Sequence, residues 1–214
     1  MRTSMADKGI ERLIKNWQKR NITAFYAEDK NRAAEKLLEL IPASATIGIS
    51  GSVTLDQLQA VEILKRRGNK VFNQYKPGIS QEENLSLRRL GAQADFYLTS
   101  ANGISQDGEM VFLSGFGNRT AGISYAGNVI VVAGKNKIVP DRTGALKRAR
   151  EVATPLNCKR LKNWDTPCYR EGVCKEDICL SPEFRRMCCQ VLIIEAEATP
   201  DRLKVILVGE ELGF

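Results

Sequence analysis

Two polar, glycine-rich loops contain the residue types from which a binding or catalytic site could be built. The first spans residues 50–54 and the second spans residues 102–119. Each follows an apolar run that predicts a buried strand, and glycine lets a loop turn sharply or approach a ligand closely. Polar side chains between the glycines then face that ligand. We therefore expect the two loops to form a single site for an anionic ligand.

The first loop joins a predicted strand to a helix predicted over residues 54–67. Backbone N–H groups at the start of a helix, together with hydroxyl side chains, suit a phosphate or a carboxylate. The candidate ligand-binding residues are Ser50, Gly51, Ser52 and Thr54. The alternative is that Ser52 or Thr54 only caps the helix. The loop lacks the lysine of a P-loop and the spacing of a dinucleotide-binding loop, so neither ligand class follows from it.

The second loop gathers two amides, two carboxylates and a guanidinium, at Asn102, Asp107, Glu109, Asn118 and Arg119. A guanidinium can bind a carboxylate or a phosphate bidentately, so Arg119 is a candidate ligand-binding residue together with both asparagines. The alternatives are a surface ion pair for Arg119 and a hairpin turn for Asp107 and the glycine after it. Neither Glu109 nor Asn118 is needed by a turn.

A third polar segment follows the most apolar run of the chain, residues 128–134. Lys137, or Lys135, could hold an anion there. Along the chain, strand candidates alternate with helix candidates, which is typical of a three-layer α/β protein with a mainly parallel sheet covered by helices. In such sheets ligands bind at the carboxyl ends of the strands, which is where all three polar segments begin.

The absence of histidine excludes several classes of enzyme. The chain can contain no Ser-His or Cys-His nucleophile pair, and acid–base chemistry falls to Asp, Glu, Lys, Cys or Tyr. The net charge of +7 comes from dispersed basic residues, with clusters near the predicted C-termini of helices, where cations offset the helix dipole. This distribution does not favour nucleic acid as a partner. It suits a small anionic metabolite equally well.

Residues 1–214 are expected to form a single domain, with a helical N-terminal part over residues 1–42 and a cysteine-rich segment over residues 155–189. No apolar run is long enough to span a bilayer, and residues 1–20 lack the apolar core of a secretory signal. The expected location is therefore the cytoplasm. The sequence leaves the oligomeric state open, including a homo-oligomer.

Six stretches follow one another along the chain: GISGSVTLDQL, ADFYLTSANGISQDGEMVFLSGFGNRTAG, VIVVAGKNKIVPD, TPLNCKRL, TPC and VILVGEELGF. Over residues 47–214 this set resembles the LUD (lactate utilisation) domain family, the LutC/YkgG-like proteins. The resemblance implies a fold like that of the NagB/RpiA/CoA-transferase superfamily, whose members bind sugar phosphates or CoA thioesters at strand ends. By the same analogy, residues 50–54 would hold an anionic group, and Glu109 and Asp107 would be the catalytic carboxylates.

The resemblance also implies a function: a subunit taking part in oxidation of L-lactate, a 2-hydroxy acid, to pyruvate, with iron–sulfur partner proteins. Two alternatives stay open. One is a free-standing enzyme acting on a sugar phosphate or an acyl-CoA, with Glu109 or Asp107 as base or nucleophile. The other is a binding module that senses an anionic metabolite without turning it over.

Family members often carry a C-terminal group of cysteines, which this chain matches with altered spacing at Cys168, Cys174, Cys179 and Cys188. Without histidine, four thiolates could bind zinc or a [4Fe–4S] cluster. The alternative is that the thiols are reduced and free. Because the chain shows no export signal, disulfides are not expected.

Overall fold

A six-stranded parallel sheet forms the centre of the structure, a computed structural model that describes residues 5–162, 165–174, 179 and 186–214. In that part of the chain the strands are β1 (Thr23–Ala27), β2 (Thr46–Ile49), β3 (Lys70–Phe72), β4 (Phe96–Thr99), β5 (Gly103–Ser105), β6 (Met110–Ser114), β7 (Asn128–Gly134), β8 (Ile138–Val139), β9 (Gln190–Ile194) and β10 (Leu203–Val208). The large sheet has the order β1-β10-β7-β4-β2-β3. All its pairs are parallel, as predicted.

Helices cover both faces of this sheet. The described helices of the chain are α1 (Met5–Lys19), α2 (Lys30–Leu40), α3 (Val53–Gln57), α4 (Ala60–Arg66), α5 (Gln81–Ala92), α6 (Asn118–Tyr125), α7 (Arg142–Arg148), α8 (Thr154–Leu161) and α9 (Pro167–Glu171), of which α1 to α6 pack on the large sheet. A 3₁₀ turn spans Lys135–Lys137, and a π-helical segment, Ala149–Ala153, joins α7 to α8. Side chains of Asp29, Ser80 and Asp141 accept hydrogen bonds from the first turns of α2, α5 and α7. None of the described helices is both long and apolar enough to cross a membrane.

The core is divided by the large sheet because successive side chains of a strand point to opposite faces. On β7, Ile130 and Val132 pack with α2, α3 and α4 on one face. Val129 and Val131 pack with α1 and α6 on the other. The three-layer arrangement expected from the alternating pattern is therefore confirmed.

A second sheet of four strands was not predicted. Its order is β8-β5-β6-β9, and it contains the expected hairpin, whose strands β5 and β6 are antiparallel. Ile104, Met110 and Phe112 bury one face of this sheet against the α1 side of the large sheet. Val111 and Leu113 bury its other face against α7 and the π-helical segment. Because both faces are covered, the hairpin is held firmly beside the ends of β2 and β4.

The single helix predicted over residues 54–67 is wrong, because the chain breaks there into α3 and α4. Gln59 lies between them in the left-handed region, with φ of +52°. A continuous helix turns by about 100° per residue, so Leu64 would point away from the face that carries Leu55. After the break, both side chains are buried in the same core. Core packing thus overrides the local preference for one helix.

Helix α1 is attached to the turn of the hairpin. Trp17 is fully buried, and its indole Nε1 donates a hydrogen bond to the carbonyl of Gly108 at 2.9 Å. The guanidinium of Arg20 donates to the carbonyl of Asp107 at 2.9 Å. The buried face of α1, which lies in the N-terminal part predicted to be helical, therefore holds the hairpin from outside.

Replacing Trp17 by alanine removes a buried aromatic side chain and leaves the Gly108 carbonyl without its donor. We expect a loss of about 3–5 kcal/mol in the free energy of unfolding. The measurement is urea denaturation followed by circular dichroism. Gln18→Ala, an exposed neighbour on the same helix, is the control and should change the free energy of unfolding by no more than about 0.5 kcal/mol. Equal stability of the two variants would contradict the docking role of α1.

Candidate functional site

Three loops meet at the carboxyl edge of the large sheet. Strands β2, β4 and β7 are direct neighbours and run parallel, so the segments that follow them emerge side by side. Residues 50–54 follow β2, residues 100–102 follow β4, and the 3₁₀ turn follows β7. A hydrogen bond between Ser50 Oγ and Thr99 Oγ1 at 2.8 Å links the first two strand ends. The three polar segments predicted from the sequence therefore share one edge.

Arg119 ties these loops together. Its Nη1 donates to Asn102 Oδ1 and to the carbonyl of Leu113, both at 3.0 Å, and its Nη2 donates to the carbonyl of Gly51 at 2.6 Å. All three acceptors are neutral. Burial lowers the pKa of Arg119, yet a guanidinium remains charged at every physiological pH. The edge of the sheet therefore holds a positive charge that these acceptors do not neutralise.

Lys137 brings a second cation to the same edge. The side chain is only 3% exposed, and Nζ lies 2.7 Å from Ser100 Oγ and 3.0 Å from Thr54 Oγ1. Among the described residues, no carboxylate forms an ion pair with it. Burial lowers the pKa of Lys137 to about 7, and the charges of Arg148 and Arg119 act in the same direction. This amine is therefore poised to be neutral or charged near neutral pH.

The segment that follows β10 packs against the side chains of Thr54 and Lys137. Gly213 has a φ of +61°, and a Cβ atom there would lie 2.4 Å from Thr54 Oγ1 and 3.3 Å from Lys137 Nζ. The position therefore favours glycine for both backbone conformation and space. Asn136 and Gln57 hold this segment, because their side-chain oxygens accept hydrogen bonds from the N–H groups of Leu212 and Gly213.

Two adjoining cavities open at this edge. The larger has a volume of about 550 Å³, and the smaller, which Lys137 lines, has about 40 Å³. Both are lined by Gly51, Asn102, Arg119 and Asn157. The larger cavity also contains the side chains of Arg88 and Arg160. None of the described residues that line the larger cavity is an aspartate or a glutamate, so its walls attract anions.

Every residue predicted to bind the ligand lies at this edge. The larger cavity is lined by Ser50, Gly51, Asn102, Asn118 and Arg119, and the smaller is lined by Gly51, Ser52, Thr54, Asn102, Arg119 and Lys137. The expected cap is also present, since Ser52 Oγ accepts a hydrogen bond from the N–H of Leu55 at 3.3 Å. With the residues that the structure describes, Arg119 does not form the surface ion pair considered as its alternative. Its bonds join the loops instead.

The two predicted catalytic carboxylates lie elsewhere, at the turn end of the hairpin. Asp107 forms an exposed ion pair with Arg12 at 3.1 Å. Glu109 accepts hydrogen bonds from the Ser105 hydroxyl and from Arg20, the latter at 3.1 Å. Neither carboxylate lines either cavity. Their catalytic role stays a prediction that the lining of the cavities does not support, and their contacts fasten the hairpin to α1.

The described cysteines do not form a metal centre. Cys158 and Cys168 are buried, Cys174, Cys179 and Cys188 are partly exposed, and no set of three or more described cysteine or carboxylate side chains is arranged to hold a metal ion. The thiols of Cys158 and Cys168 contact each other. The hydrogen bond from Cys158 lowers the pKa of Cys168 to about 6, and the same bond raises the pKa of Cys158. Zinc or a [4Fe–4S] cluster on the four predicted ligands remains a prediction.

Sequence reasoning missed several residues that line the cavities. Ser100 is the first residue after β4, as Ser50 is the first residue after β2, so the rule that selected Ser50 would have found it. Arg88 and Arg160 come from α5 and α8, and no local signal marks them. Arg88 lies over the ring of Phe116, 4.5 Å from its centroid, beside the larger cavity. Only the packing of these helices against the sheet edge brings both arginines to the site.

Comparison with known proteins gives one family match. The model of the LUD domain family matches residues 10–208, which is most of the chain. No curated protein matches the sequence.

Solved structures with a similar fold include a DUF162 family protein from Deinococcus radiodurans. It is 14% identical, with a TM-score of 0.55 over 97% of this chain and 100% of that chain. Ribose 5-phosphate isomerase A from Neisseria gonorrhoeae is 20% identical over 53% of this chain and 54% of its own, with a TM-score of 0.34. The first of these similarities describes the fold and carries no information on the ligand.

Glu109→Gln tests whether this partly buried carboxylate is structural. Burial alone raises its pKa, but the hydrogen bonds from Ser105 and its own backbone N–H, with the charge of Arg20, hold the pKa of Glu109 below its usual value. The folded protein thus binds this proton less tightly than the unfolded chain does. The stabilisation is present above the unfolded pKa and is lost as the pH falls through the folded pKa.

We therefore expect thermal melts between pH 6 and pH 3 to show a steeper loss of stability for the wild type than for Glu109→Gln. Asp107→Asn, at an exposed ion pair on the same turn, is the control for removing a charge and should change stability by at most about 0.5 kcal/mol at pH 7. Equal acid sensitivity of the wild type and Glu109→Gln would count against the structural role.

Proposed function

Because the chain belongs to the LUD domain family, we propose that it serves lactate utilisation by binding a small organic anion at the carboxyl edge of its large sheet. One observation carries the proposal: Arg88, Arg119 and Arg160 line a single cavity whose described lining contains no carboxylate. Of the three, Arg119 is desolvated by the surrounding loops, and burying a charge without a counter-ion is unfavourable. A bound anion would supply that counter-ion, so the cavity gains stability from being filled.

The first candidate ligand is a 2-hydroxy acid such as L-lactate, or the 2-oxo acid formed from it. The guanidinium of Arg119 has N–H donors beyond the three bonds it makes within the protein, and these can bind a carboxylate. The amides of Asn102, Asn118 and Asn157 line the same cavity and suit the hydroxyl or carbonyl group of the acid. Recognition of this kind needs one cation and a few neutral polar groups.

In this proposal the chain works as a LutC-like subunit in the cytoplasm. Oxidation of a 2-hydroxy acid to a 2-oxo acid releases two electrons and two protons. Iron–sulfur partner proteins would accept the electrons, as the family resemblance implies. The part assigned to this chain is to bind and orient the organic acid, and Lys137 near neutrality is suited to take up one of the protons.

The second candidate is a phosphorylated ligand or an acyl-CoA. The larger cavity, at about 550 Å³, exceeds what a three-carbon acid requires and falls in the range of sites for larger metabolites. Its arginines come from three different helices, so their charges are spread along the walls. This distribution suits a ligand with more than one negative charge, such as a sugar phosphate or an acyl-CoA, whose phosphates carry the charge.

A thermal-shift screen separates the candidates. L-lactate, pyruvate, ribose 5-phosphate and acetyl-CoA are each added to the purified protein, and a ligand present at 100 times its Kd adds about 2.7 kcal/mol to the stability. We expect Arg160→Met to weaken binding of the ligand that stabilises the protein about 10-fold or more, because a charge-assisted hydrogen bond contributes about 1.5–3 kcal/mol.

Arg160 is chosen because its guanidinium bonds only to Asn157, three residues earlier, among the described residues, so its loss should leave the fold intact. Arg66→Met, at the exposed end of α4, is the matched control and should bind as the wild type does. If none of the four compounds stabilises the protein, the assignment of this cavity to an organic anion fails.

The role in lactate utilisation is tested in cells. A strain lacking the gene should fail to grow on L-lactate as the carbon source and should grow normally on pyruvate, since only the step between them is removed. Growth should return with a plasmid encoding the wild type. Unimpaired growth on L-lactate would refute the lactate role and leave the second class of ligand.

A further inference from the structure

Ser100, Lys137 and Thr54 form a closed triangle of polar atoms within the smaller cavity. Lys137 Nζ lies 2.7 Å from Ser100 Oγ and 3.0 Å from Thr54 Oγ1, and the two hydroxyl oxygens are 3.2 Å apart. Ser100 is 4% exposed and Thr54 is fully buried. The three come from separate parts of the chain, after β4, at the 3₁₀ turn and in α3. Binding one anion at this edge does not account for this arrangement.

The charges around the triangle favour a neutral amine. The charged side chains that act on Lys137 are Arg148 from α7 and Arg119 from α6, both cations, and its direct partners are the hydroxyls of Thr54 in α3 and of Ser100 after β4. No described carboxylate pairs with Nζ. Its pKa of about 7 agrees with this geometry. At slightly alkaline pH the nitrogen therefore carries a lone pair that needs a hydrogen-bond donor.

Accounting for the protons identifies that donor. The Thr54 hydroxyl is engaged as a donor, because it reaches the carbonyl of Leu212 at 3.3 Å. Thr54 Oγ1 can then accept from the amine. When the amine is charged, Nζ donates to Ser100 Oγ at 2.7 Å and the Ser100 hydroxyl donates to Thr54 Oγ1 at 3.2 Å. When the amine is neutral, the Ser100 hydroxyl can rotate and donate to the lone pair of Nζ instead, so that a chain of hydrogen bonds runs from Ser100 to Lys137, then to Thr54, then to the Leu212 carbonyl.

Ser100 lies beside the larger cavity. The smaller cavity, which Ser100 lines, shares four lining residues with the larger one, so the two adjoin. Arg119 is one of the four. A substrate held in the larger cavity could therefore extend its reactive end past Arg119 towards Ser100, with the guanidinium facing any negative charge that develops on that end.

We propose that Ser100 and Lys137 are a nucleophile and general-base pair that transfers the acyl group of a thioester or another activated acyl compound. A serine activated by a neutral lysine needs no histidine, so the histidine-free sequence is compatible with this chemistry. Thr54 acts as a positioning residue, because its hydroxyl orients the amine. The activity extends beyond lactate utilisation, although it uses the same edge of the sheet.

The chemistry balances with water as the only co-reactant. Ser100 Oγ attacks the acyl carbon while its proton moves to Lys137 Nζ. The bond between the acyl carbon and sulfur breaks, and the thiol leaves with that proton. Water then attacks the acyl-serine, with Lys137 again taking a proton and returning it to Ser100 Oγ. The products are a carboxylic acid, a thiol and the unchanged protein.

The experiment uses methanesulfonyl fluoride, a small uncharged reagent that sulfonylates activated serines with loss of fluoride. After digestion, mass spectrometry should locate the methanesulfonyl group on Ser100. The rate of labelling should rise with pH and level off above about pH 7, as Lys137 loses its proton. Lys137→Met should slow labelling about 100-fold or more, the lower end of what general-base catalysis contributes.

Lys135→Met is the matched control, since Lys135 lies on the same 3₁₀ turn but is exposed and lines neither cavity. It should be labelled at the wild-type rate. Thr54→Val should keep the label on Ser100 and move the pH at which its rate levels off. Thermal melts establish that each variant is folded, and if Lys137→Met does not fold, Lys137→Arg replaces it, because an arginine cannot act as the base.

Three results would overturn the assignment: Ser100 unlabelled in the folded wild type, labelling at equal rates with and without Lys137, or the label on Lys137 Nζ. The last would make the lysine itself the nucleophile. Because the reagent carries no charge, the outcome is independent of anion binding in the thermal-shift screen. Either conclusion can therefore fail while the other stands.

Discussion

The positive charge of Arg119 is the constraint on which the site depends. Its guanidinium bonds to Gly51, Asn102 and Leu113, so the loop after β2, the loop after β4 and the hairpin strand β6 are held at fixed separations. Since all these acceptors are neutral, the charge is available to a ligand. A carboxylate in place of one of these acceptors would neutralise the arginine, and the cavity would then lack this positive charge for a ligand. The same three hydrogen bonds therefore hold the loops in place and leave the positive charge of Arg119 uncompensated.

The second sheet explains how these bonds persist. A hairpin as short as β5 and β6 is only marginally stable when isolated. Here it is covered on one face by α1 and the large sheet, and on the other by α7 and the π-helical segment. The partners of Glu109 and Asp107 belong to this attachment. Residues that suggest acid–base chemistry by type alone therefore contribute to the frame that positions Asn102 and Arg119.

The sequence was sufficient to predict features set by local rules. The span of β7, the cap at Ser52, the parallel sheet and the shared edge of three polar loops all follow from periodicity, from capping preference and from the geometry of parallel strands. The break at Gln59, the second sheet and the arrival of Arg88 and Arg160 depend on long-range packing, for which the chain carries no local signal. Glu109 illustrates the limit most clearly. Its distance from the cavity depends on which end of the hairpin faces the sheet edge, and residue types do not encode that direction.

The position of β10 has a consequence for how this protein is made. Although β10 is the last of the described strands along the chain, it lies between β1 and β7 and pairs with both. During translation, which proceeds at about 5–20 residues per second, the apolar β7 leaves the ribosome well before its partner exists. The nascent chain then exposes an unpaired sheet edge, which is prone to association with other chains. A chaperone that shields this edge would improve the yield of folded protein, and truncation before β10 would give an aggregating product.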